Sequence, residues 1–244
     1  METYSKNVCE LKYEFVNAYK GNSHTTEILP NMPAESFLIN EKQLSLLHEF
    51  LNVNPIYSNH IVEKISGVDY TIFEGDLNNY WIDSIKHDAS YAPFYPTWVL
   101  SAWGLALAAK NLGFEQIIDI GSGDGRIAYC GKTSGLESIS IEIDENLVNL
   151  QEDISKKTGV EFNPKCADAT IFNFEDIMPK KSIFVIGGVP EIGEVLAESV
   201  IKNVLEVLEM QDASFVLTGS HSHREFSRDR TDSGWGTTIK KFEL

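Results

Sequence analysis

The chain has few cysteines: Cys9, Cys130 and Cys166 are odd in number, far apart and form no C-x-x-C pair. This excludes a disulfide framework or a cysteine-based zinc or redox centre as the organising feature, and the usage fits a reducing compartment. No apolar run reaches the roughly 18 residues that a membrane-spanning helix needs. The opening METYSKNVCELKYEF is acidic where a secretory leader would be basic. A cytoplasmic protein with no membrane partner is therefore the expectation. Basic residues are scarce as well, with 20 Lys and Arg against 36 Asp and Glu and a formal net charge of −16. Nucleic-acid affinity comes largely from Lys and Arg displacing counterions, so a nucleic-acid partner is disfavoured, and a basic protein or a small molecule is favoured. Internal repeats and low-complexity segments are absent too. At 43% hydrophobic and 23% charged residues, the 244-residue composition is that of a folded globular chain of one or two domains.

From about residue 111 onward, short apolar runs alternate with longer amphipathic ones. EQIIDI (115–120), ESISIEID (137–144), VEFNPKCADA (160–169, interrupted by Pro164), SIFVIGG (182–188) and ASFVLTGS (213–220) read as strands, and GTTIKKFEL (236–244) reads as an edge strand. Between them ENLVNLQEDISKKTG (145–159) carries Leu147, Leu150 and Ile154 at helical spacing, with Gly159 as its C-cap. EIGEVLAESVIKNVLEVLE (191–209) is a second amphipathic helix. This alternation predicts an α/β fold whose doubly wound, mostly parallel sheet has helices on both faces. The first 90 residues lack the rhythm. LKYEFVNAYK and EKQLSLLHEFLNV read as helices, and GNSHTTEILPNMP and NVNPIYSNH as loops. The expected organisation is a mainly helical appendage or lid over 1–90 and a ligand-binding α/β domain over 91–244.

The densest signal is DIGSGDGR (119–126), which follows the first strand of that domain. Glycines there let the backbone turn tightly and let a ligand approach its amides. The dinucleotide fingerprint G-x-G-x-x-G is not met, because Arg126 stands where its third glycine belongs. The spacing D-x-G-x-G-x-G instead resembles motif I of class I S-adenosylmethionine-dependent methyltransferases, with their seven-stranded, Rossmann-like sheet. That resemblance implies that Gly121, Ser122, Gly123, Asp124 and Gly125 wrap the cofactor and that Asp119 orients its ammonium group. Glu142, closing the next strand, would accept hydrogen bonds from the ribose hydroxyls, and Asp168 would contact the adenine, with Ala169 and Gly187 also at the cofactor. Taken by themselves, Asp144 reads as a helix N-cap and Asp168 equally well as a turn residue.

The acceptor is signalled less clearly. The [ND]-P-P-[YF] motif of many amino-methylating enzymes is absent, and IGGVPE (186–191) stands in its place. The segment PFYPT within YAPFYPTWVLSAW (91–103), together with DIGSGDGR, SIEID and GTTIKKFEL, resembles the non-SET lysine methyltransferases of the Dot-one class and their compact archaeal relatives, over roughly residues 88–244. The resemblance implies that Tyr91, Phe94, Tyr95 and Thr97 line a lysine channel or touch the cofactor, with Tyr91 and Tyr95 as its catalytic walls and Thr97 at the cofactor. Eukaryotic members carry asparagines where this chain has Gly187-Gly188. A small-molecule or nucleic-acid acceptor, and a catalytically silent binding protein, stay open beside the lysine reading. His221 and His223 read as a polar loop, and no metal is expected. The oligomeric state is not legible.

Overall fold

A computed structural model describes residues 1–78, 80, 94–177, 180–187, 193–207, 213–217 and 240–241, with residues 193–195 and 240–241 given by their backbone alone. Helix α1 (Glu2–Ala18) turns Tyr4, Val8, Leu11 and Phe15 inward at helical spacing. Strand β1 (Thr25–Pro30) follows, then helix α2 (Glu41–Val53). A reciprocal capping box starts α2: Asn40 Oδ1 accepts from the Gln43 amide at 3.0 Å, and Gln43 Oε1 accepts from the Asn40 amide at 3.1 Å. Strands β2 (Tyr57–Ile65) and β3 (Val68–Gly75) form a hairpin, and β3 also pairs with β1, giving an antiparallel sheet in the order β1-β3-β2.

This departs from the expected loops at both GNSHTTEILPNMP and NVNPIYSNH. Residues 25–30 and 57–65 are strands, so the N-terminal region adds a three-stranded sheet to the two expected helices. Residues 25–30 gain their partner from β3, beyond α2; for 57–65 the cause lies at Ser66-Gly67, whose positive φ values of 49° and 86° build the two-residue turn that matches strand twist. The Ile and Val residues on either side then pair across it.

Helix α3 (Val99–Asn111) leads into the second sheet, which contains β4 (Gln116–Ile120), β5 (Glu137–Glu142), β6 (Pro164–Cys166), β7 (Ser182–Ile186), β8 (Ser214–Leu217) and β9 (Lys240–Lys241). Helices α4 (Arg126–Ser134), α5 (Glu145–Thr158) and α6 (Gly193–Glu206) alternate with these strands. The order is β6-β5-β4-β7-β8-β9, parallel throughout except for β9, so the described residues supply six strands of a Rossmann-like, doubly wound sheet. Every residue of β4 and β7 is buried, as strands covered on both faces require. Pro164 confines β6 to three residues, against the ten expected.

The pleat divides the sheet between two cores. Ile117, Ile183, Val185 and Val216 join the helices α3, α4 and α5 on one face, while Ile118, Ile120, Phe184, Ile186 and Phe215 meet α6 on the other. The first of these cores is continuous from Tyr4 to Val216 and includes the N-terminal sheet. Polar seams reinforce it: the Tyr4 hydroxyl donates to the Leu100 carbonyl, Trp103 Nε1 to the Phe37 carbonyl at 3.2 Å, and the Tyr129 hydroxyl to the Leu46 carbonyl at 2.8 Å. Among the described residues, no helix is long and apolar enough to cross a membrane.

Helix α4 lies close against β4 because Gly131 carries no side chain. A Cβ there would overlap Ile117 Cγ2 and come within 2.7 Å of Ser138 Oγ. Gly131→Ala is therefore expected to destabilise the fold by roughly 1–3 kcal/mol through overpacking, despite alanine's better helix propensity. Urea unfolding measures it, and an unchanged midpoint would show that the helix can move away without cost.

Candidate functional site

The strand order reverses at β4, since the chain moves outward to β5 and β6 and then returns to β4's other side with β7. Such a reversal opens a crevice at the carboxyl ends of the strands, and residues 121–125 lie there. Gly121, Gly123 and Gly125 have φ values of 65°, 58° and 77°, a left-handed conformation that explains why three glycines are spaced two apart. The loop is stitched from behind by Gln151 of α5, whose Nε2 donates to Ser122 Oγ at 2.9 Å and to the Gly123 carbonyl at 2.7 Å. Gln151 Oε1 in turn accepts from Ser140 Oγ at 2.6 Å. Glu142 holds the same loop from β5. Its Oε2 accepts from the Gly123 amide at 2.8 Å, and its Oε1 from the amides of Ile143 and Asp144 at 2.8 and 3.1 Å. Burial pushes the Glu142 carboxyl upward, and these three amides oppose the shift.

Asp119 sits beneath the loop, 2% exposed. The Ala128 amide, in the first turn of α4, bonds its carboxylate, while its Oδ2 has no partner among the described residues. Desolvation first, then the neighbouring Glu142 and Asp124, push this carboxyl up to about 8. Asp124 is wholly buried, with its Oδ1 accepting from Arg126 Nε at 2.8 Å and its Oδ2 from Asn54 Nδ2 at 3.0 Å. Three carboxyl groups thus gather where α4 begins, Asp119 held protonated by burial and Asp124 paired with Arg126. A phosphate, the usual guest of a helix N-terminus after a glycine loop, would lie beside Glu142 and find the Gly121, Ser122, Gly123 and Gly125 amides already donating within the protein. A cationic group beside Asp119 would instead draw off its proton and pair with it.

The other expected residues are distributed unevenly. A Cβ on Gly121 would find nothing among the described residues nearer than Leu196 Cδ2 at 3.9 Å, an ordinary contact with α6 that leaves room for a methyl. At Gly123 the same Cβ would overlap the Phe94 ring, which packs on the loop and is 9% exposed. Its neighbour Tyr95 is 63% exposed and turned to solvent. Thr97 has an exposed side chain, and its carbonyl accepts from Arg126 Nη1. Asp168 follows β6, and its Oδ1 accepts from the Thr170 amide at 2.9 Å and the Thr170 hydroxyl at 2.7 Å, an Asx turn made within its own segment. Ala169 packs into the core shared with α6, and Gly187 is half-buried at the end of β7. Tyr91, Gly188, His221 and His223 lie outside the described residues.

The sequence does not single out Glu27, Asn54, Tyr57 or Gln151, and it weighs Arg126 only as a missing glycine. All five are buried at the loop. The available signal was an arginine opening a helix two residues after an aspartate, a spacing at which its guanidinium can fold back.

No protein-family model matches the chain, and no curated protein matches it in sequence. Solved structures resemble it at low identity. The PH0226 protein of Pyrococcus horikoshii is 18% identical, with a TM-score of 0.44 over 53% of this chain and 60% of that one. TehB of Haemophilus influenzae is 16% identical, with a TM-score of 0.39 over 64% of this chain and 50% of that one. An S-adenosylmethionine-dependent methyltransferase of Clostridium acetobutylicum is 13% identical, with a TM-score of 0.39 over 52% of this chain and 53% of that one. The chain thus spans between half and three fifths of these relatives' length.

The raised carboxyl of Asp119 makes the site's stability depend on pH. Its ordinary value is about 4, so the stability gained by keeping it protonated is complete below that value and is lost as pH rises to about 8. Asp119→Asn is expected to become progressively more stable than the unsubstituted chain over that interval and to hold the advantage above it. Melting temperatures measured across the interval check this, and parallel profiles would show that Asp119 ionises freely.

Proposed function

We propose that this chain is an S-adenosylmethionine-dependent methyltransferase. One observation carries the reading. At the crevice where the strand order reverses, a left-handed glycine loop lies over Asp119, a buried carboxyl whose Oδ2 has no partner among the described residues, and Glu142 and Asp124 flank it. Those groups suit a nucleoside that bears cationic groups in place of phosphates. When bound, S-adenosylmethionine supplies a methyl group made electrophilic by its sulfonium. Asp119 would hold the ammonium end, the loop from Gly121 to Gly125 would lie along the methionine portion, with the Gly121, Ser122, Gly123 and Gly125 amides already donating within the protein, and Glu142 would face the ribose and Asp168 and Ala169 the adenine side. Methyl transfer of this kind is an in-line displacement, so the chain's task is to align the acceptor and exclude water.

The acceptor we favour is a lysine amine on a basic protein. Supporting this are the aromatic, proline-rich segment that lays Phe94 on the glycine loop, with Tyr95 beside it, and the net charge of −16. An apolar surface such as the Phe94 ring disfavours the ammonium form of an entering lysine, which must lose its proton before it can attack, whereas Tyr95, expected as a wall, faces solvent in this structure. The acidic surface raises the rate of encounter with a basic partner without setting the chemistry.

Titration with S-adenosylhomocysteine near neutral pH, in buffers of differing ionisation enthalpy, is expected to show binding with proton release, because an ammonium beside Asp119 draws it into its ionised form. Gly121→Ala, which turns a methyl toward the crevice at a left-handed φ, should weaken binding at least about tenfold for a stability loss of about 1 kcal/mol. Absence of binding by both S-adenosylmethionine and S-adenosylhomocysteine would overturn the cofactor assignment. Incubation with methyl-labelled cofactor and cell extract, followed by hydrolysis to amino acids, should yield methyl-lysine; label confined to nucleic acid or small molecules would overturn the lysine reading alone.

A further inference from the structure

We infer that Glu27, on strand β1 of the N-terminal sheet, is a positioning residue that sets the glycine loop and residues 94–99 relative to each other through Arg126. The inference rests on reading that loop as the seat of the cofactor. Its basis is a full account of one side chain's donors. A guanidinium carries five N–H groups in a fixed plane, and here five acceptors meet them. Arg126 Nε donates to Asp124 Oδ1 at 2.8 Å; Nη2 donates to Asp124 Oδ2 at 2.5 Å and to the Tyr57 hydroxyl at 3.0 Å; Nη1 donates to Glu27 Oε1 and to the Thr97 carbonyl. These partners come from β1, β2, the segment before α3 and the glycine loop itself. Because the fork is planar and rigid, fixing Nη1 fixes the orientation of Nε and Nη2, and with them Asp124.

Glu27 occupies the end of that fork remote from the loop and does a second thing. Its Oε2 accepts from the Val99 amide at 2.9 Å. Helix α3 begins there, and its own N-cap, Trp98, offers no side-chain acceptor. One carboxylate therefore caps α3, which follows directly on the Phe94 segment, and orients the arginine that clamps the loop on which Phe94 lies. Both oxygens are committed, and the residue is 1% exposed. Burial pushes its carboxyl up to about 6, against the pull of Arg126 and the Val99 amide, with Asp124 adding to the rise. Glu27 is thus held charged at neutral pH by the contacts it organises.

Three measurements on the full-length chain test the assignment. In Glu27→Gln, one acceptor becomes a donor facing Arg126, and hydrogen exchange at amides 97–102 and 121–126 should accelerate at least about tenfold while the β2–β3 hairpin keeps its rates. The nitrogen-15 guanidinium spectrum of Arg126 should show slowly exchanging Nη protons in the unsubstituted chain and lose those of Nη1 in the variant. Affinity for S-adenosylhomocysteine should fall about tenfold or more. Arg126→Lys, which keeps the charge and loses the fork, should give the same regional pattern, and the double variant should add little to either single one. Uniform acceleration of exchange over both sheets would reduce Glu27 to a contributor to global stability and overturn the proposal, as would unchanged exchange at 121–126. If Glu27→Gln does not fold, Tyr57→Phe, which removes one acceptor of the fork, must reproduce the pattern in milder form, and its failure to do so overturns the proposal. Should the unsubstituted chain not bind the nucleoside, the cofactor reading fails while exchange and guanidinium spectra still decide on Glu27.

Discussion

The buried guanidinium of Arg126 is the constraint around which the structure is arranged. Removing such a cation from water costs several kcal/mol even after relaxation, and the cost is offset only where charge and hydrogen-bonding capacity are met together. Burial alone would favour losing the proton, yet Asp124 foremost, then Tyr57 and Glu27, hold Arg126 well above its ordinary value. Two of those partners belong to the N-terminal sheet and one to the loop. The arginine thus joins strands β1 and β2 of the N-terminal sheet to the loop that follows β4.

The same economy of charge shapes the ligand crevice. A glycine loop leading into a helix usually advertises its amides to an anion. Here the protein's own carboxylates take that place: Asp119 receives the Ala128 amide, Glu142 the Gly123 amide, and Asp124 the arginine. The loop has the shape of a phosphate cradle, but most of its amides already donate within the protein. Topology alone would leave both ligand classes open, so the choice between them falls to side chains at three strand and helix ends.

Much of this architecture was legible. EQIIDI, ESISIEID and SIFVIGG became β4, β5 and β7 because runs of Ile, Val and Phe bounded by glycine suit strands buried on two faces. Asp144 and Gly159 bracket α5 as the sequence indicates, by an Asn146 amide bond to Asp144 and a left-handed φ of 69° at Gly159. The strands at 25–30 and 57–65 were hidden because each lies among turn-forming residues: the first gains its partner only from β3, beyond α2, and the second only across the Ser66-Gly67 turn. Side-chain direction within PFYPT was equally hidden. Adjacent aromatics are indistinguishable by composition, yet Phe94 packs on Gly123 while Tyr95 meets solvent. The pairing of Glu27 with Arg126, 99 residues apart, leaves no local trace at all.

The ring of Tyr4 rests on Gly104, where an added Cβ would lie 2.5 Å from Tyr4 Cε1, and its hydroxyl reaches Leu100, 96 residues along the chain. Helix α1 also packs on residues 35–37 and on β2, but its seat on α3 closes a loop of nearly the whole first hundred residues. Closing so long a loop costs chain entropy before the contact exists, and contacts of that span slow folding. The docking of α1 on α3 is thus a step that local structure in either helix cannot complete.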